Sequence, residues 1–292
     1  MSVWQCANHA LDTSTPLVMG ILNVTPDSFS DGGRYDGFEA ACVHAQRMVE
    51  QGATIIDVGG ESTRPGSDEV SIEEELARVL PVVTRLVAEG LIVSIDTRHA
   101  AVAQACVLAG AVIINDISGF RDQTMVEVAA SCDAGLVVMH MLGEPKTMQT
   151  DPYYQDVVKE VCDYLCGQAR MLERAGVAHE RICVDPGPGF GKTFEHNLAL
   201  LRQTATLALL GYPLMAAYSR KGFVGALTGV EAAAKRVAGS VTVALYAAAH
   251  GARILRVHDV APTTQALKTL EVVSLNSRSA RRALVALGSN VG

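Results

Sequence analysis

Eight short apolar runs recur along this chain, and the longer segments between them have helical periodicity. That alternation limits the possible folds more than any other feature. The runs are Leu17–Asn23, Thr54–Val58, Ile92–Asp96, Val112–Asp116, Gly135–His140, Arg181–Asp185, Pro213–Ala217 and Arg253–His258. They are aliphatic or β-branched with little polar alternation, the pattern of parallel strands buried on both faces. Among the intervening segments, Gly37–Gln51 sets Ala40, Ala41, Val43, Ala45 and Met48 toward one side. Ser71–Glu89 opens with Ser71 and Glu74 at capping-box spacing. Asp151–Ala175 and Glu195–Leu210 are amphipathic, and Glu231–His250, rich in Ala and Val, reads as mostly buried. Strand then helix, eight times over, predicts an α/β protein: a (β/α)8 TIM barrel in a single domain. An open doubly wound sheet has the same element order and is the alternative.

At 292 residues the chain exceeds the usual size of one core, but barrels of this kind commonly run to ~250 residues in one domain. With 49% hydrophobic residues it can build a large aliphatic core without metals or disulfides. The formal net charge is −7 and no Lys/Arg run is long enough to track a phosphate backbone, so nucleic acid is not an expected partner. The densest basic stretch, Arg278 to Arg282, reads as a solvated segment. An acidic chain that handles anions must build local positive sites, which directs attention to isolated Lys and Arg in loops. The seven cysteines are odd in number and form no CxxC, which predicts free thiols in a reducing compartment rather than a zinc site. The first residues lack a basic region followed by an apolar core, and no apolar run is long enough to span a bilayer. The expectation is a cytoplasmic protein with no membrane partner.

The barrel reading has a consequence within the sequence itself, because chemistry in this fold sits where strands end and βα loops begin. The polar outliers Asn23, Asp57, Asp96, Asn115, His140, Asp185, Lys221 and His258 all fall at or just beyond the C-terminal end of a proposed strand. The opposite turns, such as Gln51-Gly52-Ala53 and Glu89-Gly90-Leu91, are short and plain. One-sided clustering of this kind points to an enzyme. Taken singly, a strand-end Asp is as readily a helix N-cap, and His140 as readily a packing residue. Loops one and two are long, polar and punctuated by Gly and Pro, which in a compact barrel usually means function.

Longer motifs surround these residues. MGILNVTPDSFSDGG (Met19–Gly33) and DVGGESTRPG (Asp57–Gly66) follow strands one and two. SIDT (Ser94–Thr97), INDISG (Ile114–Gly119), DPGPGFGKT (Asp185–Thr193), SRKG (Ser219–Gly222) and RVHD (Arg256–Asp259) come in order after them. Together they resemble the signatures of the dihydropteroate synthase family, from about Leu17 to Val273. The resemblance implies a transferase that joins (7,8-dihydropterin-6-yl)methyl diphosphate to 4-aminobenzoate, with Mg2+ assisting, in folate biosynthesis. It implies a pterin site of Asp96, Asn115, Asp185, Lys221 and Arg256, and a diphosphate site of Asn23, Arg64, Arg256 and His258. Asn23 would also help hold Mg2+. Thr63, Pro65, Phe190, Lys221 and Gly222 would line the 4-aminobenzoate pocket, with Asn23–Gly33 and Glu61–Gly66 closing over bound diphosphate. The chemistry fits these residue types. Carboxylates and amides match the donor–acceptor edge of a pterin, and Arg256 can both pair with phosphate and stack on a ring. A homodimer is implied as well.

By the same resemblance, residues 17–275 form the pterin-binding barrel, 1–16 an N-terminal segment and 276–292 a C-terminal tail expected to be mobile. The tail RRALVALGSNVG (Arg281–Gly292) is similar to the opening strand of hydroxymethyl-dihydropterin pyrophosphokinase. One departure stands inside the site: many family members have Ser where this chain has Gly222. That leaves sulfonamide sensitivity open. The rival readings are a pterin-binding methyltransferase-like barrel and a paralogue without catalysis.

Overall fold

The computed structural model describes residues 3–25, 34–61, 70–144 and 146–274. A short hairpin, β1 (Val3–Cys6) and β2 (His9–Asp12), precedes eight parallel strands. These are β3 (Leu17–Asn23), β4 (Ile55–Gly59), β5 (Val93–Asp96), β6 (Ile113–Asp116), β7 (Gly135–Met139), β8 (Ile182–Asp185), β9 (Met215–Ala216) and β10 (Ile254–Val257). Their order is β8-β7-β6-β5-β4-β3-β10-β9, and the ring closes through a parallel bridge between Val184 and Leu214. Around it run α1 (Arg34–Glu50), α2 (Ile72–Ala88), α3 (Ala100–Leu108), α4 (Gln123–Ser131), α5 (Val157–Arg174), α6 (Phe194–Arg202), α7 (Thr204–Leu207), α8 (Gly222–Thr228), α9 (Val237–Ala249) and α10 (Val260–Ser274). This is the expected (β/α)8 barrel, not the open sheet. No helix among the described residues is long and apolar enough to cross a membrane.

Strand alternation sorts the apolar residues into layers. One set, including Val18, Ile56, Ile95, Ile114, Val138 and Leu255, faces the helices and packs into the large outer core. The other set, Met19, Ile55, Ile113, Val137, Cys183, Met215 and Ile254, fills the barrel interior. Side chains thus occupy the lumen, and the open space lies at the strand C-termini. All seven cysteines are free, and Cys6, Cys42, Cys106 and Cys183 are buried.

Strand limits differ from the sequence expectation by a residue or two. The shortest is the seventh, where Pro213–Ala217 contracts to Met215–Ala216. The helices differ more, each for a local reason. The helix expected from Asp151 begins at Val157, because Asp156 caps it by accepting from the Val158 and Lys159 amides. The segment Glu195–Leu210 breaks near Gln203 into α6, α7 and a 3-10 turn, with the buried Thr204 hydroxyl bonded back to Leu201 O. The helix expected from Glu231 starts at Val237, because the Arg236 guanidinium takes the carbonyls of Val230 and Glu231.

The hairpin gives the N-terminal segment a definite place. Trp4 and Cys6 are fully buried against the lumen residues, and Trp4 Nε1 donates to Arg181 O at 2.9 Å. Gly135 at the start of β7 makes room: a Cβ there would lie 2.4 Å from Cys6 Sγ. The hairpin therefore stoppers the end of the barrel opposite the strand C-termini. Trp4→Ala is expected to lower unfolding free energy by about 3–5 kcal/mol, the usual cost of emptying a large buried aromatic site. Urea denaturation followed by circular dichroism measures it, and a loss below about 1 kcal/mol would mean the stopper is dispensable.

Candidate active site

Parallel register sets the site. Asn23, Gly59, Asp96 and Asn115 lie in one row across β3, β4, β5 and β6. Gly59 contributes no side chain, so a gap separates Asn23 from Asp96. A Cβ at 59 would stand 3.8 Å from Asn23 Oδ1 and 3.6 Å from Asp96 Oδ2. One step inward, Asp57 is fully buried and its Oδ2 accepts from Asn115 Nδ2 at 3.0 Å.

Arg256, on β10, reaches across the mouth into this group. Its Nε donates to Asp57 Oδ2 at 2.6 Å and its Nη2 to Asp96 Oδ2. Formally two carboxylates face one guanidinium, so one negative charge is in excess. Asp96 carries the consequence: burial, with the Asp57 charge adding to it against the pull of Arg256, pushes its carboxyl up to about 7. Burial works against the Arg256 charge, yet the two carboxylates outweigh it and hold the guanidinium above its ordinary value. Asp57 Oδ1 is buried with no hydrogen-bond partner among the described residues.

A second cluster forms where β8 and β9 end. Asp185 is raised by burial, opposed by Lys221 and by the Gly187 amide, which donates to its Oδ1 at 2.7 Å. Lys221 is brought down to about 8 by burial, while Asp185 supports its charge. Its Nζ donates to Pro188 O and lies 4.7 Å from the centre of the Phe190 ring. That ring packs on Ile117, Met139, Met141 and Met148, an apolar floor at the mouth. His258 bonds Ser219 through its amide and Nδ1, both at 3.1 Å. The next residue, Asp259, forms a two-point pair with Arg220.

The structure thus brings together Asp96, Asn115, Asp185, Lys221, Arg256, Asn23, His258, Phe190 and Gly222 at one end of the barrel. Thr63, Arg64 and Pro65, and most of loop one, lie outside the described residues. The root of loop two is fixed, with Glu61 paired to Arg98 at 2.9 and 3.0 Å. His140 is neither free nor merely packed. It is 5% exposed, with its Nδ1 2.9 Å from Lys192 Nζ. Burial and the Lys192 charge lower its imidazole to about 3, so it is neutral. The sequence marks Asp57 as polar at a strand end and carries Lys192 within DPGPGFGKT, but assigns neither a role. A charged residue inside a glycine-rich turn was the available signal for Lys192. Among the described residues no group of three or more His, Cys, Asp or Glu is placed to hold a metal.

Convergent carboxylates, amides and buried cations at the strand C-termini of a (β/α)8 barrel stand where enzymes of this fold carry their chemistry. Comparison with known proteins agrees. Residues 19–258 match the pterin binding enzyme family. A dihydropteroate synthase of Neisseria meningitidis serogroup C is 48% identical over 278 residues, covering 94% of this chain and 98% of that protein. The structure of the Xanthomonas albilineans dihydropteroate synthase with 4-aminobenzoic acid superposes with a TM-score of 0.89 at 46% identity, covering 94% of this chain and 98% of that one. The Burkholderia cenocepacia dihydropteroate synthase complexed with 7,8-dihydropteroate gives 0.85 at 45% identity, covering 97% and 98%. The chain belongs to the pterin-binding enzyme family and, within it, to the dihydropteroate synthases.

The Arg256 clamp makes a prediction of its own. Asp57→Ala leaves the guanidinium buried with Asp96 as its sole charged partner in the clamp. It should cost about 3 kcal/mol, the lower end of the range for breaking a buried pair. Urea unfolding at neutral pH reads this directly, and a change below about 1 kcal/mol would remove Asp57 from the clamp.

Proposed function

We propose that this chain condenses (7,8-dihydropterin-6-yl)methyl diphosphate with 4-aminobenzoate, giving 7,8-dihydropteroate and pyrophosphate. The observation that carries the reading is the convergence of Asp96, Asn115, Asp185 and Lys221 on one mouth, with Arg256 spanning it. Asp96 and Asp185 accept from the ring NH and exocyclic amine, Asn115 completes the edge, and Lys221 donates to the ring carbonyl and its neighbouring nitrogen. The flat guanidinium of Arg256 covers the ring and, with His258, Asn23 and Arg64, receives the diphosphate. As the C–O bond breaks, its electron pair leaves with pyrophosphate. Positive charge on the methylene carbon spreads into the ring, where the two carboxylates stabilise it. The neutral arylamine attacks that carbon and loses a proton. No general base is required, because the electrophile is already cationic.

Mg2+ would be held at Asn23 Oδ1, in the gap left by Gly59. A single amide oxygen suits an ion that keeps several waters and takes its other ligands from the diphosphate. When bound, the ion would neutralise charge on the leaving group. By the family resemblance Thr63 and Pro65 would contact the aryl ring together with Phe190, and Lys221 with the Gly222 amide would face its carboxylate. The chain acts in the cytoplasm as a homodimer.

The experiment is pyrophosphate release from the pterin-methyl diphosphate with Mg2+, with and without 4-aminobenzoate and then with a sulfonamide. Release that requires 4-aminobenzoate is expected; tight pterin binding with no release would favour a methyltransferase-like or non-catalytic role. In the same assay Gly222→Ser should lower the KM for 4-aminobenzoate about fivefold, one added hydrogen bond of roughly 1 kcal/mol. A Cβ at 222 meets nothing within 4 Å, so the change costs no packing. An unchanged or higher KM would show that the hydroxyl does not reach the carboxylate.

Asp96 supplies a pH test. With its carboxyl at about 7, much of it is protonated below that pH. A ligand that donates to the carboxylate favours the ionised form, so binding must expel a proton there and tighten as pH rises toward 7. Calorimetry of a pterin ligand in buffers of different ionisation enthalpy should find release near pH 6 and almost none near about pH 8.5. Equal release from wild type and Asp96→Asn would exclude Asp96 as the acceptor.

A further inference from the structure

The turn after β8 is gripped by two lysines at alternate carbonyls. Lys221 Nζ takes Pro188 O from the α8 side. Lys192 Nζ takes Phe190 O at 2.9 Å, and it also reaches His140 O at 3.3 Å and His140 Nδ1 at 2.9 Å. An ammonium has three donors and no acceptor, and these three acceptors satisfy it. Lys192 is only 3% exposed, so the pairing is enclosed by protein. Neutral side chains tie the turn as well, with Gln149 donating to Gly189 O, Tyr154 donating to Gly191 O and Asn197 accepting from the Gly189 amide, while the Asp185 carboxylate accepts from the Gly187 amide. The turn also lies backbone to backbone on the end of β7. Gly187 has φ +63, and a Cβ there would fall 2.0 Å from His140 O.

The surroundings of Phe190 follow from this. Its ring closes the Ile117–Met139–Met141–Met148 floor from one side and carries Lys221 over its face. Its backbone is held on both sides, the amide donating to Gly187 O at 3.1 Å and the carbonyl accepting from Lys192 Nζ at 2.9 Å. We propose that Lys192 is a positioning residue for the arylamine substrate: its ammonium fixes the Phe190 carbonyl, and thereby the ring on which the substrate's benzene face rests. Lys192 touches neither substrate. The inference rests on the function proposed above, since Phe190 is assigned to the 4-aminobenzoate pocket there.

The groups facing the ammonium are His140 from the end of β7, Asp185 from the end of β8 and Lys221 from the cap of α8. Burial brings Lys192 down to about 7, with Asp185 supporting its charge and Lys221 opposing it. His140 is neutral in this range and adds no charge. As pH rises above 7 the amine keeps two N–H donors, and one of its three acceptors is left unserved. The grip on Phe190 should loosen with alkali. The carboxylate of 4-aminobenzoate is ionised throughout and does not mask the effect.

The test uses Lys192→Met and Lys192→Gln in the full chain, with steady-state kinetics and hydrogen exchange. Both variants should raise the KM for 4-aminobenzoate about tenfold, the scale of one lost charged hydrogen bond, and change that for the pterin diphosphate less than about twofold. Lys221 titrates at about 8 in every form, so the readout is the difference between them: between about pH 7 and 9 the 4-aminobenzoate KM should climb more steeply in wild type than in the variants. Exchange at 186–192 should quicken in the variants while the strands stay protected. That readout needs no turnover, so it separates this inference from the functional reading, whose own failure is a wild type that releases no pyrophosphate. Equal rises in both KM values, an unchanged 4-aminobenzoate KM, or unchanged exchange in the turn would overturn the assignment. If neither variant folds, hydrogen exchange of the wild type at 186–192, corrected for its intrinsic pH dependence, decides: protection there should fall between about pH 7 and 9, and constant protection overturns the assignment.

Discussion

Arg256 bonded to both Asp57 and Asp96 is the interaction on which the rest of the mouth depends. It ties β10 to β4 and β5 across the opening, and through Asp57 it also reaches Asn115 on β6. Four strands are thereby coupled by side chains at the level of the last backbone rungs. The arrangement is costly for stability, since burying charged groups seldom returns what desolvation takes. Its value is geometric. A guanidinium held at two points stands at a fixed height and tilt, and the excess negative charge leaves Asp96 responsive to what binds.

The cost is tolerable because the opposite end is built differently. There the lumen is filled by apolar side chains, and the hairpin seals it with Trp4, Cys6 and Leu11. The buried charge at that end, Arg181, spends its donors on the Ala129 and Ala134 carbonyls and faces no carboxylate within this core. One end of the barrel holds the fold and the other holds unbalanced charge. This division is what lets a site with two carboxylates and several buried cations persist in a marginally stable chain.

The sequence made the barrel legible because parallel strands buried on both faces leave unbroken aliphatic runs, and the end of each run is marked by a polar residue. Asn23, Asp96, Asn115 and Asp185 were found that way, and all lie at the mouth. Three things were not legible. The hairpin carries too few residues to show a period, and its role depends on a lumen that exists only once the strands have closed. The late start of α9 depends on Arg236 folding back onto carbonyls of its own loop, a contact that propensity does not encode. Asp57 and Lys192 bond to Arg256 and His140, groups that lie far off in sequence and come near only once the barrel has closed. The placement of Arg256 over Asp57 spans 199 residues of sequence.

The single tryptophan of the chain sits in the stopper, at the end of the barrel away from the substrates. Its intrinsic fluorescence therefore reports on the integrity of the barrel through a residue that does not line the mouth. A shift of the fluorescence melting curve on adding a pterin or an arylamine would then measure binding linkage alone, RT ln(1 + [L]/Kd). The fold carries its own optical reference, placed where the chemistry does not disturb it.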